Sequence, residues 1–413
     1  MNFLSDPISF IGNWFGNLLL GLGLSQSLVT IIIKFIAAGI VGAFGFALVI
    51  FTIWLERKLY GRIQDRLGPN RVGPWGIFQT VPDIIKIFTK EYITPEGADK
   101  VPYNLAPILS VSAVLLIWAV IPFAKTIVGS DVNVGVLYLV AVGAIGVLGI
   151  ILAGWSSNNK YSLLGAFRAV AQMVSYEVPM VLALLVPVLL GRTMGVNSLV
   201  NAQNVWFIVL SPIAAFIFFT SSIAETGRAP FDLLEAESEL VAGYQTEYSG
   251  LKFGMFYVGE FLHAFTISAL TATLFLGGWR GPFAQQFPIL GVAWFFIKAF
   301  IVYFFVVLIR ISMPRLRIDQ MLNFNWKFLT PLALILLIVT AIVDKVFYMI
   351  IPGINITEAF IPWVRAGVHL FMNLIIIFIT IQILKTHQIK GVQIVGKPRP
   401  VAVAPEPPAS VIS

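Results

Sequence analysis

Six of the twenty acidic residues fall between Glu225 and Glu247, within AETGRAPFDLLEAESELVAGYQTEY. Asp232, Glu235 and Glu239 stand at i, i+3 and i+7, with Glu237 between them, so a helix through them stacks carboxylates on one face. Like charges held that close oppose joint ionisation and raise each other's pKa. Such a group can hold and pass protons, or register a charge placed beside it. The segment joins two long apolar stretches, and carboxylates gathered where membrane helices meet mark a candidate proton or cation site.

Further acids lie inside the apolar runs themselves. Glu177 sits in VSYEVPM, Glu260 in VGEFLHAF, and Glu225 closes the run before the acidic segment. Each costs about 3 kcal/mol or more in hydrocarbon unless it faces the bundle interior or water. Taken with the loop acids they predict a carboxylate chain of Glu177, Glu225, Asp232, Glu235, Glu237, Glu239 and Glu260. Lys34, Lys298 and Asp344 are weaker candidates, because lysine can snorkel and Asp344 lies near the outer surface.

Two other charged segments accompany the acids. ERKLYGRIQDRLGPNRVGPWG alternates charge with two Gly-Pro turns, and Ile77, Phe78, Val81, Ile84, Ile85 and Phe88 then recur at helical spacing, with Gln79, Asp83, Lys86 and Lys90 opposite. That is an amphipathic helix of roughly four turns, suited to the lipid–water boundary and too short to span it. It is either a surface anchor or one lip of an entrance for a lipid-soluble substrate. In RISMPRLRIDQMLNFNWK, Arg310, Arg315, Arg317 and Asp319 surround Pro314. These arginines are expected to pair with the acids of 232–239 and draw the loops into one cap.

The elements that must position these groups follow from composition. The chain is 58% hydrophobic and 11% charged, with a mean hydropathy of +0.90, against roughly 25% charged in soluble domains. The fold class is therefore an all-α polytopic membrane protein. Apolar runs predict about nine spans, at 27–55, 103–124, 134–155, 169–190, 204–224, 254–278, 288–310, 329–350 and 364–385. Of the 27 Lys and Arg residues, 20 fall on one side and 5 on the other (Lys125, Arg192, Arg280, Lys345 and Arg365), with Lys34 and Lys298 within spans. The positive-inside rule makes the first side cytoplasmic and the amino terminus external. The net charge of +7 is thus topology rather than a sign of nucleic acid. Residues 1–26 form an outer-side amphipathic lead-in. The transmembrane domain covers 27–385, with cytoplasmic loops 56–102, 156–168, 225–253 and 311–328. The proline-rich stretch 386–413 is expected to be a disordered cytoplasmic tail.

Composition also excludes chemistry. There is no cysteine and there are three histidines, His263, His369 and His387. Thiolate-held clusters, thiol catalysis and paired-histidine haem are therefore not expected. No nucleotide-binding glycine loop, metal-ligand pair or nucleophile triad occurs. This chain is expected to hold no catalytic residue, metal or cofactor alone, and any redox electrons must come from another chain.

ERKLYGRIQDRLGPNRVGPWGIFQTVPDIIKIFTKEYITPEGADK, GWSSNNKYSLLGAFRAVAQMVSYEVP, AETGRAPFDLLEAESELVAGYQTEYSG and PRLRIDQ…WK resemble, in order and membrane side, the H subunit of bacterial respiratory complex I. The mitochondrial counterpart is subunit 1, and the resemblance covers roughly 27–350. It implies a membrane-arm subunit of the bacterial plasma membrane that docks the hydrophilic arm and forms the membrane part of a quinone tunnel. Quinone, ubiquinone or menaquinone, would enter beside the first span and the amphipathic helix. Iron–sulfur clusters and FMN would lie in partner subunits. Implied partners are the cluster-bearing and hydrogenase-like subunits of the peripheral arm, small membrane-arm subunits and antiporter-like pumping subunits. Carried over position by position, the tunnel residues would be Arg57, Arg62, Asp83, Lys86, Glu225, Arg228, Phe231 and Glu235, and Arg315, Arg317 and Asp319 would support the cap. Ile318 departs from the family, which usually has an aromatic there, and the ninth span and tail exceed the eight-span core of many members.

Two other readings stand beside this one. A membrane-bound hydrogenase subunit would share the motifs without quinone, but VPDIIK and the full GPNRVGP loop lean toward quinone. A stand-alone cation or proton transporter would explain the buried acids, but the halves show no internal repeat of the transporter kind.

Overall fold

The computed structural model describes residues 7–233, 240–353, 357 and 360–395, and every regular element among them is helical. Glu235, Glu237 and Glu239 lie outside the described residues. Eight helices are long and apolar enough to cross a membrane: α2 (Gln26–Ile63), α4 (Lys100–Ile117), α5 (Gly135–Ser156), α6 (Lys160–Gly191), α10 (Gly250–Phe275), α11 (Pro288–Ser312), the run of α12 (Ile318–Phe324) into α13 (Thr330–Ile350), and α14 (Ile361–Val395). A helix α1 (Pro7–Gly21) precedes them. The expected fifth span is instead broken, into a four-residue α8 (Phe207–Leu210) and a 14-residue α9 (Pro212–Glu225). Pro212 has no N–H to continue the ladder, and Ser211 leaves helical geometry at φ −140°, ψ 74°.

Helix α10 is the axis of the bundle. Of its central window 83% is buried, against 17% for α14. Small residues make this enclosure feasible: from Ala264 to Thr273, four of the ten are Ser or Thr, and their hydroxyls turn back onto carbonyls four residues earlier. Helix α6 is the second long pillar. Its Gln172 amide donates 2.6 Å bonds to the Ala224 and Phe231 carbonyls, holding the end of α9 and the segment that follows it. Tyr176 donates to the Met321 carbonyl (3.0 Å), and Asn325 donates to the Ser175 carbonyl (2.6 Å), which ties α12 to the same pillar.

Helix ends differ from the apolar runs in an instructive way. Helix α2 continues to Ile63, so Glu56, Arg57 and Arg62 are helical rather than in the loop. Lys160 to Arg168, expected in a loop, open α6, and α14 runs on to Val395. In each case hydropathy ends before the backbone ladder does, because Glu, Lys, Arg and Gln interrupt an apolar run without interrupting a helix.

The motif-bearing loops converge at one end. The Leu316 amide donates to the Pro230 carbonyl (2.9 Å) and the Asp99 amide to the Ser156 carbonyl (3.0 Å). Tyr103 donates to the Glu247 carbonyl (2.7 Å), and Asn159 to the Glu247 carboxylate (2.6 Å). The amphipathic helix α3 (Thr80–Thr89) follows a short 3-10 turn and lies across α2 and α10. Its Ile87 sits over Gly254, where an added Cβ would come within 2.8 Å of the Ile87 side chain. Gly254→Val should push α3 off α10, and overpacking at such a contact costs about 1–3 kcal/mol. Thermal unfolding of purified variant complex should show an earlier transition, together with faster protease cleavage after Lys86 and Lys90.

Candidate functional site

The centre of the basic end is Arg228, which is 1% exposed on the loop after α9. Its guanidinium bonds Glu56 of α2 and lies 3.3 Å from the Glu260 carboxylate of α10. The Phe261 ring covers it at 4.6 Å. Glu56, 3% exposed, also accepts from the Tyr303 hydroxyl (2.6 Å) and from Arg310 (2.9 Å), both on α11. Three helices and a loop therefore meet in one charge-balanced cluster. Burial works against the Arg228 charge, but Glu56, then Tyr303 and Glu260, outweigh it and hold its pKa above the usual guanidinium value.

Arg310 corrects one expectation. It pairs with Glu56, a partner the expected pairing with the acids of 232–239 did not include, because the end of α11 lies beside the end of α2. Glu56 and Tyr303 were not among the sequence candidates. The available signal was that Glu56 is a lone acid at the junction of an apolar run and a basic one, where a carboxylate needs a partner.

The remaining candidates divide by place. Arg57 and Asp83 form a 2.5 Å ion pair between α2 and α3, both partly exposed. Beside it the Trp54 indole donates to the Trp75 carbonyl, and Thr80 to the Ile50 carbonyl, each at 3.3 Å. The apolar side chains of Phe78, Val81, Ile85 and Phe88 stay exposed on the outer surface of this junction. Arg62 and Lys86 are exposed and lie outside the Arg228 cluster, as do Arg315, Arg317 and Asp319 on the surface after α11. Phe231 is buried against Tyr176, and Asp232 is half-buried at the same turn. Among the described residues no cluster of acids and histidines suits a metal ion.

Behind the cluster, toward the middle of the bundle, lies a cavity of about 60 Å³. Glu225, Glu260, His263, Ser110, Thr226 and Tyr244 supply its polar lining, and Gly143, Gly146 and Gly259 keep it open. Glu225 is 8% exposed. Glu177 of α6 is half-buried and does not line this space, although it is close enough to Glu225 for their charges to interact.

A second charged cluster lies at the opposite end. Asp344 of α13 receives Arg365 (2.7 Å) and His369 (3.4 Å) from α14, and Arg192 at 3.5 Å. Arg365 also donates to the Leu190 carbonyl at the end of α6 (2.8 Å), and Asn373 to the Leu210 carbonyl beside the α8–α9 break (2.9 Å). The ninth expected span is therefore pinned to the bundle by ion pairs and caps.

This geometry defines a class: a polytopic all-α membrane protein whose charged groups are concentrated within the bundle and at one end of it. The family model described as NADH dehydrogenase matches residues 35–341. The chain is 49% identical over 323 residues to the H subunit of NADH-quinone oxidoreductase from Dehalococcoides mccartyi strain CBDB1, covering 77% of this chain and 90% of the relative. It is 45% identical to the corresponding subunit of Bacteroides thetaiotaomicron, over 81% of this chain and 96% of that one, and 42% identical to that of Geobacillus sp., over 80% and 96%. The chain belongs to this family of membrane subunits of NADH-quinone oxidoreductase, a multi-subunit oxidoreductase complex.

Removing one member of a buried ion cluster leaves its partners uncompensated, at a cost of about 3–5 kcal/mol. Arg228→Met should therefore lower the amount of assembled complex on native gels severely. Arg310→Met should be milder, because Arg228 and Tyr303 still hold Glu56.

Proposed function

We propose that this chain forms the membrane part of the quinone tunnel in a proton-pumping NADH:quinone oxidoreductase, and that its carboxylates couple quinone reduction to proton movement. The observation that carries this reading is the double contact of Glu260. One side of it touches Arg228, whose other partner is Glu56 at the foot of α2. The other side lines the cavity that also holds Glu225.

These positions support a division of labour. The junction of α2 and α3, with its exposed apolar side chains and the Arg57–Asp83 pair, is the lip at which a lipid quinone enters. Arg62 and Lys86 line the outer approach. Arg228, Phe231 and Glu225 mark the inner wall, and the family resemblance assigns Glu235 to the same role. Arg315, Arg317 and Asp319 face the peripheral-arm subunits, whose iron–sulfur cluster delivers the electrons. The chain lies in the bacterial plasma membrane with the amino terminus outside and the basic end in the cytoplasm.

Reduction to quinol draws in protons or leaves negative charge beside the tunnel. That charge competes with Glu56 and Glu260 for Arg228. Glu260, released in part, becomes a better proton acceptor, and the change passes to Glu225 through the cavity. Glu177 and the loop acids Asp232, Glu235, Glu237 and Glu239 continue the chain of carboxylates toward the pumping subunits. Coupled acids of this kind titrate as a group, so the pair Glu225 and Glu260 shares its protons.

Glu225→Gln and Glu235→Gln keep the side-chain shape and lose the proton. Membranes carrying either variant should assemble the complex normally, yet lose about 100-fold in NADH:quinone turnover, within the range a lost proton-transfer group produces. Wild-type turnover and pumping in both would sink the proposal.

A further inference from the structure

We infer that His263 aligns a chain of water through which Glu225 and Glu260 exchange a proton. This rests on the relay role just proposed for those two acids and adds to it a residue and a medium. His263 follows Glu260 by three positions on α10, so both side chains emerge on one face, and both line the 60 Å³ cavity. A buried water needs about 10–15 Å³ of such space and two to four polar partners, so there is room for roughly four.

The partners are present and uncommitted. Among the described residues, neither the His263 ring nor the Glu225 carboxylate has a hydrogen-bond partner within the chain. Two hydroxyls of the lining are engaged: Thr226 donates to the Ile223 carbonyl (2.7 Å), and the Tyr244 oxygen accepts from Gln245 (2.9 Å). The space is held by glycines on both walls. A Cβ at Gly143 would stand 3.8 Å from a Glu225 carboxylate oxygen, and one at Gly259 would stand 3.2 Å from the Ser110 hydroxyl. A neutral imidazole donates from one nitrogen and accepts at the other. Sharing one cavity with two carboxylates, it gives a file of waters a direction that an apolar side chain cannot.

The titratable groups facing His263 come from three places: Glu225 from α9, Tyr244 from the loop before α10, and Glu260 from its own helix. Arg228 stands behind Glu260. Helices α4, α5 and α6 contribute Ser110, Met173 and apolar residues to the lining, and none of these titrates. His263 is thus a positioning residue whose effect is read through the two acids.

The test compares His263→Leu with His263→Gln in assembled complex reconstituted into vesicles. Leucine removes both hydrogen-bonding roles, whereas glutamine keeps a donor and an acceptor and cannot carry the charge. H263L should slow NADH-driven proton uptake about tenfold, narrow the pH range of turnover and enlarge the solvent deuterium isotope effect. H263Q should restore the rate to within about threefold. Wild-type pumping in H263L, or equal loss in both variants, would overturn the assignment. Glu225→Gln run in parallel separates the two layers: normal pumping in E225Q defeats the relay itself. Loss in E225Q beside normal H263L defeats only the role of His263. A density map that resolves water should show it between Glu225, His263 and Glu260, and a dry cavity would also overturn the inference.

Discussion

A guanidinium with almost no access to solvent is the constraint around which the rest of this bundle is arranged. Arg228 must be neutralised where it stands, and the groups that neutralise it belong to helices far apart in sequence. Glu56 comes from α2 and Glu260 from α10, while Arg310 and Tyr303 of α11 complete the balance around Glu56. A buried charge with fewer partners would be expelled or would force one of its neighbours to change protonation. The cluster therefore fixes the relative heights of three membrane helices. It also fixes the path of the chain leaving α9, which Gln172 of α6 grips at two carbonyls.

That arrangement sets two distinct environments close together. On the outer side of α2 the surface is apolar and open, with α3 lying along the boundary and clipped to α10 by the contact at Gly254. On the inner side lies a small polar space framed by glycines. Glu260 belongs to both the ion cluster and that space. A change of charge on one side of Glu260 is thereby felt on the other without any large movement of helices, because the connection is electrostatic and short.

Much of this was legible in the sequence, and the limits of legibility have physical causes. Glu225, Glu260 and Glu177 announced themselves because a carboxylate inside an apolar run needs a reason. The amphipathic helix that carries Asp83 was legible from its apolar spacing after two Gly-Pro turns, whereas its pairing with Arg57 was not. Glu56 was hidden because it stands in ERKLYGR, a string that reads as a solvated basic loop. Only the approach of Arg228, 172 positions away, makes it buried. Arg310 went to Glu56 for the same reason: spacing along a chain does not say which helix ends are neighbours. His263 carried no signal in the sequence beyond its place in an apolar run, because a lone histidine on such a helix is usually packing. The break at Ser211 escaped because hydropathy averages over a proline that the backbone ladder cannot ignore.

The helix of the ninth expected span, α14, changes what the bundle shows to its surroundings. A helix interrupted at Ser211 leaves a carbonyl that hydrocarbon cannot satisfy, and Asn373 of α14 donates to the Leu210 oxygen at that point. Along the same flank, Trp363, Phe371 and Phe378 of α14 are exposed. Lipid or a neighbouring protein arriving there meets a smooth aromatic wall rather than a fracture in the peptide ladder. The extra helix works as a splint: it lets a discontinuous segment remain discontinuous within a medium that ordinarily tolerates no interruption.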